Sequence, residues 1–410
     1  MWKPGKLVAG VALGAAVAAG VLEGVPRLLP EHIPPMLLQH FEEGLRQSVL
    51  ATTDPLDAGG SVTVERDDGG PLLRKRRARE RVELDHGDAG ATALIVTDDL
   101  GYCNPPKNRY GRDRIDLLAI GDSLTWCTTV APEQTWPALL GDDLGLAAYN
   151  LGFPGIGLYE YLVLLRRYGL AKSPRVVVLN FYEGNDLRDA LRYWRHRRRG
   201  AGSTDGGWLA RWSFAYNLAR AAWGEWLAPA GEGPAVPEKS GLDFRYSLDF
   251  GDRRVRFNLR NADRDEFAHA IALAEGRLPL DVFDSAFAEF RRLADAHGFR
   301  PLVVYSPSAH TAYADHVAFD DASVAPLMQA YSARLRAAVA GLAERFGFAY
   351  VDLTPRLWAE IARQGAARPD QLLYYPGSVH YSVEGHRVVA RELVEVLRGL
   401  LAEPGHESTR

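Results

Sequence analysis

From Arg112 onward, short apolar runs alternate with longer segments whose apolar residues recur every three or four positions. Five runs read as strands: Ile115–Ile120, Ala147–Asn150, Val176–Phe181, Pro301–Tyr305 and Phe348–Leu353. Helical segments separate them over Trp136–Leu144, Tyr159–Tyr168 and Val282–Ala296. A further segment places Leu327, Tyr331, Leu335, Val339, Leu342 and Phe346 on one face, in steps of four and three, and Gly347 stops it. Ser382 can cap a last helix with Val389, Leu393, Val396 and Leu400 inward. A strand such as VVVLNF has no face suited to water, so helices must cover it on both sides. Fivefold alternation therefore predicts an α/β fold, a five-stranded parallel sheet between two helical layers.

The flanking regions have other patterns. Lys3 and Lys6 precede an apolar run from Leu7 to Leu22, ended by Glu23 and Arg27. Such a run after positive charges reads as an export signal, either cleaved or kept as an inner-membrane anchor with the domain on the extracytoplasmic side. Residues 30–112 read as an arm, with Ala91–Thr97 as a strand and Leu73–Val82 as a solvated basic stretch. The sheet domain is expected over 113–195 and 279–403, interrupted by an aromatic-rich insertion at 196–278. Within the insertion, Gly251-Asp252 marks a hairpin, and the pairs Trp208/Trp212 and Trp223/Trp226, each one helical turn apart, read as packing against the core or, alternatively, as a ligand surface. Arg192, Arg195 and Arg197 to Arg199 form a second basic cluster, read as a helix end or a contact for anionic headgroups or envelope polymer.

Composition narrows the function. Lys and Arg total 48 against 52 Asp and Glu, a net charge of −4, which gives no electrostatic footprint for nucleic acid. Two cysteines exclude a zinc-finger array or a disulfide scaffold. Cys103 and Cys127 form a disulfide in an exported chain or remain two buried thiols; both readings stand. His310 and His316, with no cysteine near, give no metal-ligand spacing, and no cofactor is expected.

In an open parallel sheet, ligands bind beyond the carboxyl ends of the strands. Gly121-Asp122-Ser123 comes after the first strand, Asn150-Leu151-Gly152 after the second and Gly184-Asn185-Asp186 after the third, while His380 precedes the final helix. These residues suit acyl transfer. Ser123 at a helix N-terminus would be the nucleophile and His380 its base. The N–H groups of Ser123 and Gly152 and the Asn185 amide would receive the developing oxyanion.

With those residues in place, the chain resembles the SGNH (GDSL-type) hydrolase family, through GDSLTW (121–126), NLGFPG (150–155), YEGND (182–186) and HYSVEGH (380–386). TDDLGYCNPP (97–106) is similar to the lead-in of anchored bacterial members. The resemblance implies a flavodoxin-like three-layer sandwich and assigns Ser123, Gly152, Asn185 and His380 as nucleophile, two oxyanion donors and base. It also implies a carboxylate two or three positions before the histidine, where this chain has Ser378 and Gly377. Three outcomes are open: a Ser–His dyad oriented by a backbone carbonyl or Ser378, a carboxylate from Asp352 or Asp370, or a site reduced to carbohydrate binding. The expected activity is hydrolysis of an acyl ester of a small molecule, lipid or polysaccharide. Transfer of the acyl group to an envelope polysaccharide is the alternative.

Overall fold

The computed structural model describes residues 20–33, 61–64, 73–85, 92–105, 114–198, 207–223, 245–257, 261–364 and 371–402, with a few single positions between 14 and 49. They divide into two compact units, Met1–Arg77 with Tyr193–Gly233 and Ala78–Arg192 with Pro234–Arg410.

The larger unit is built on β1 (Leu117–Ile120), β2 (Ala148–Asn150), β3 (Val176–Tyr182), β4 (Arg300–Ser306) and β5 (Ala349–Asp352). Their order is β2-β1-β3-β4-β5, every pairing parallel. This is the doubly wound order of flavodoxin-like sheets, whose direction of winding reverses between β1 and β3. The helices around it include α1 (Trp136–Leu144), α2 (Leu158–Leu164), α3 (Asp186–Arg198), α4 (Asp284–His297), α5 (Val324–Arg345) and α6 (Val383–Ala402). Alternation along the strands sorts the core. Leu117, Ala119, Val176, Val178, Leu302 and Val304 face Trp136 and Leu140 of α1 and Val389 and Leu393 of α6. On the other face Phe181 stacks on Tyr305, with ring centroids 5.5 Å apart, and meets the edge of Phe283 just before α4. Every residue of β1 and β3 is buried, as strands covered on both faces require. Gly347, at φ 65°, lets the chain turn out of α5 into β5.

The boundaries differ from those expected. Within the basic stretch, Leu73–Arg76 pairs with Ser61–Val64, and Arg81–Asp85 pairs with Thr92–Val96 inside the larger unit. The insertion also divides. Tyr246–Asp249 and Arg254–Arg256 form the expected hairpin through Gly251 at φ 88°, and Tyr246–Asp249 pairs in turn with Val317–Phe319 of the sheet domain. Helix Asn261–Ala274 packs along α5. The second half of the segment thus belongs to the sheet domain, because its apolar face closes on that domain's core.

The smaller unit holds a core that the irregular composition concealed. Ile33, Leu37, Phe41, Leu45 and Val49, spaced by four, pack with Phe214 and Ala221 of helix Phe214–Ala222. Residues 20–28 are helical, and Glu23 accepts from Ser213 Oγ (2.8 Å), Ala215 N (2.9 Å) and Phe214 N (3.3 Å), capping helix Phe214–Ala222. A cap of this kind is worth about 1 kcal/mol. Trp208, Trp212 and Trp223 do not pack inward as their spacing suggested; all three are exposed, and Trp226 lies outside the described residues. Most of the Leu7–Leu22 run also lies outside them, and no helix among the described residues is long and apolar enough to cross a membrane.

Candidate active site

β1 ends at the reversal point, and Asp122 shapes the turn that carries the chain onward. Its Oδ1 accepts the Leu124 N–H at 2.9 Å, and its carbonyl accepts from Thr125 and Trp126, at 3.1 and 3.0 Å. An aspartate that bonds its own backbone two residues on makes a tight turn. Ser123 therefore stands on a hydrogen-bonded turn, not at the N-terminus of a regular helix as expected; the first α-helix after β1 begins at Trp136. The turn is pinned from three sides. Cys127 is disulfide-bonded to Cys103, closing a 24-residue separation, a cross-link of a size worth up to about 3 kcal/mol. Asn150 Nδ2 donates to Thr125 O at 2.6 Å, and Thr129 Oγ1 donates to Tyr381 O at 2.7 Å. The TDDLGYCNPP stretch supports the same corner: Asp98 accepts from Tyr149 Oη and Asn104 Nδ2, and Asn104 Oδ1 accepts the Asn150 N–H.

The loop before α6 brings His380 to this turn, with its Nε2 2.8 Å from Ser123 Oγ. Tyr375 N donates to His380 O at 2.8 Å, and Ser382 N to Leu373 O at 2.9 Å. Ser382 caps α6 through Gly385 N, at 3.1 Å. Val379, one residue before the histidine, has φ 56°. A β-branched side chain in the left-handed region costs about 1–3 kcal/mol, and the surrounding bonds hold it there. His386 lies one turn into α6. Burial, with the charge of His380 beside it, pushes its imidazole down to about 3, so it is neutral and its Nδ1 accepts the Trp136 N–H.

Other expected residues are engaged elsewhere. The Gly152 N–H donates to Asn150 Oδ1 at 2.8 Å. Its lack of a side chain is a packing requirement, since a Cβ there would stand 2.8 Å from Trp126 N and 2.7 Å from Thr125 Cβ. Asn185 Nδ2 donates to Asp189 Oδ2 at 2.9 Å and to Ile156 O at 3.3 Å, and Arg188 holds that carboxylate through two nitrogens. Among the described residues nothing accepts from the Ser123 N–H. Asp352 is paired with Arg336 and accepts from Thr354 N, so it is committed away from the histidine. Ser378 Oγ is buried and hydrogen-bonds nothing among the described residues, and Asp370 lies outside them.

A second cluster escaped the spacing argument because its members come from three separate elements. Glu183, Glu266 and His310 place one ligand atom each within 4.8 Å of one another, all buried. His310 Nε2 lies 3.0 Å from Glu266 Oε1, while Ser308, Thr311, Tyr305 and Ser332 donate hydroxyls to the two carboxylates. The set has cation-ligand chemistry, and four hydroxyls already donate to its two carboxylates.

Burial, reinforced by Glu266, pushes Glu183 up to about 7, and burial, reinforced by Asp189, does the same to Asp122. Each folded-state value lies above the unfolded one near 4, so their contribution to stability is full below that value and is lost as pH rises through about 7. Between pH 5 and pH 8 the melting temperature of wild type is expected to fall. Glu183→Gln should remove part of that slope, on the order of 1–3 kcal/mol at the alkaline end, in paired thermal melts. An unchanged slope would contradict the assignment.

Residues 119–388 match the model of the GDSL-like lipase/acylhydrolase family. The chain belongs to this family. It is a hydrolase acting on ester bonds. No curated protein matches it. Solved structures similar to it include a lipolytic protein of the G-D-S-L family from Desulfitobacterium hafniense DCB-2, at 14% identity, covering 68% of this chain and 98% of that one, with a TM-score of 0.36. An acetyl xylan esterase, AlAXEase, is 16% identical, with coverage of 69% and 99% and a TM-score of 0.35. A catalytic mutant of an acetylxylan esterase from Geobacillus stearothermophilus is 12% identical, with coverage of 69% and 94% and a TM-score of 0.36.

Proposed function

We propose that this GDSL-type hydrolase cleaves acyl esters through a Ser123–His380 dyad. The observation that carries the reading is the 2.8 Å approach of His380 Nε2 to Ser123 Oγ. As Ser123 Oγ attacks the ester carbonyl, His380 Nε2 takes its proton and then gives it to the departing alcohol. Water then attacks the acyl carbon as the same nitrogen takes its proton, and that proton returns to Ser123 Oγ as the acid leaves. The Ser123 N–H is the first oxyanion donor. Asn185 is the second: of its two N–H bonds, the longer one to Ile156 O is the one exchanged for substrate. Gly152 serves the turn, with its N–H retained by Asn150. The strained Val379 backbone and the Tyr375 N–H bond to His380 O hold the loop that presents the imidazole to Ser123.

A fluorophosphonate probe tests this without a choice of substrate. Labelling of wild type at Ser123, and its loss in Ser123→Ala, is expected. Labelling that survives the substitution, or its absence in both proteins, would overturn the dyad.

A further inference from the structure

The smaller unit displays apolar side chains that its own core does not use. Val17, Val21, Val25 and Leu28, spaced by four, four and three, fall on one helical stripe, with relative exposures of 58%, 53%, 48% and 80%. Trp208 and Trp212 lie one turn apart on helix Gly207–Trp212 at 72% and 61%, and Trp223 is 59% exposed just past helix Phe214–Ala222. Isolated exposed aliphatics need no explanation, but three exposed tryptophans in a unit that also exposes an apolar stripe mark an interaction surface.

The two sets are fastened together. Glu23, on the stripe's own helix, is consumed by capping helix Phe214–Ala222, and Arg27 lies over the Phe214 ring at 5.2 Å while donating to the Trp212 carbonyl. An acid in an apolar segment would be costly against hydrocarbon. Here it is turned onto three donors, and the stripe's own side chains remain apolar.

We infer that residues 17–29 and 207–223 form one lipid-contacting surface that rests in the headgroup zone of an anionic bilayer, anchored by Trp208, Trp212 and Trp223. Two features favour a bilayer over a protein partner. The stripe continues the apolar run Leu7–Leu22, itself preceded by Lys3 and Lys6, a pattern of charge followed by hydrocarbon-compatible sequence. Exposed Arg27 and Arg211 sit among the tryptophans, and an aromatic ring with a cationic rim matches the interface of anionic lipid. The stripe begins inside the apolar run, and the proposed interfacial contact does not depend on the ester chemistry.

The test uses the full chain. Both native cysteines are in the disulfide, so Leu209→Cys and, separately, Leu28→Cys carry a single environment-sensitive fluorophore. Vesicles of equal parts phosphatidylcholine and phosphatidylglycerol, with acyl chains brominated or not, are added. Both labels are expected to shift to the blue and to lose roughly half their emission to brominated chains. Adding Trp208→Ser and Trp212→Ser should weaken the quenching at Leu28→Cys while turnover of p-nitrophenyl acetate stays unchanged. Unquenched labels on protein that sediments with the vesicles would overturn the proposal, because the apolar run alone would then hold the chain. Labels already blue-shifted without vesicles would also overturn it, because protein would then cover the surface.

Discussion

Ser123→Ala is expected to lower kcat/KM for p-nitrophenyl acetate by about 10³–10⁶, to the level left by binding and oxyanion contacts alone. His380→Ala should cost nearly as much, and the double variant no more than either single one. The reason lies in the 2.8 Å contact: the hydroxyl is a poor nucleophile unless its proton leaves as the new bond forms, and the imidazole has no catalytic purpose without that proton. Residues that act as one unit show this non-additivity. Additive losses, or a Ser123→Ala enzyme that retains most of its turnover, would remove Ser123 from the role. Asn185→Ala offers a smaller, separable effect of about 10²–10³ in kcat.

The second large effect concerns a residue that touches no substrate. Gly385→Ala places a Cβ 2.1 Å from the Leu373 carbonyl oxygen and 3.1 Å from the Tyr381 ring. Neither is the end of a flexible side chain. The carbonyl also accepts Ser382 N, so moving it pulls on the loop that carries His380. A loss of about 3 kcal/mol in stability is expected by denaturant unfolding. Where the protein still folds, turnover should fall by about 10²-fold, since displacement of a catalytic group by about 1 Å has that cost. Gly399→Ala on the same helix is the control. Nothing lies within 4 Å of its added methyl, so it should be neutral or stabilising by up to about 1 kcal/mol. Equal effects at the two positions would show that helix propensity, not the close approach, governs Gly385.

Much of the larger unit was legible because burial on two faces leaves a strong mark on short strands. VVVLNF became β3, and Trp136–Leu144 became α1 without a change of boundary. Ser123 and His380 were legible as ends of elements, since chemistry in this topology collects at strand ends. Less visible was the turn that carries Ser123. Asp122 bonding to the Leu124 N–H competes with helix formation, and only the structure shows which prevails. The destinations of N–H groups were also hidden: that Gly152 donates to Asn150, or Asn185 to Asp189, depends on side chains turning back on their own segments. Glu266 and His310 meet through folding alone. Helical spacing of Trp208 and Trp212 identified a common face and said nothing about its direction. The step of four from Ile33 to Val49 was a usable signal, overlooked beside its prolines.

The proposed catalytic pair joins residues 257 positions apart. Two neighbouring bonds have the same reach: Thr129 to Tyr381 spans 252 positions and Trp136 to His386 spans 250. The central strands can pair before these contacts exist, but the loop-closure entropy of joining the two ends must be met at one moment. A ribosome-bound chain that has not yet released α6 therefore has Ser123 without His380 docked beside it, and its turn lacks the Thr129 bond to Tyr381. Catalytic onset becomes a clock for completion of the fold. During refolding, recovery of ester turnover should trail recovery of β-sheet signal.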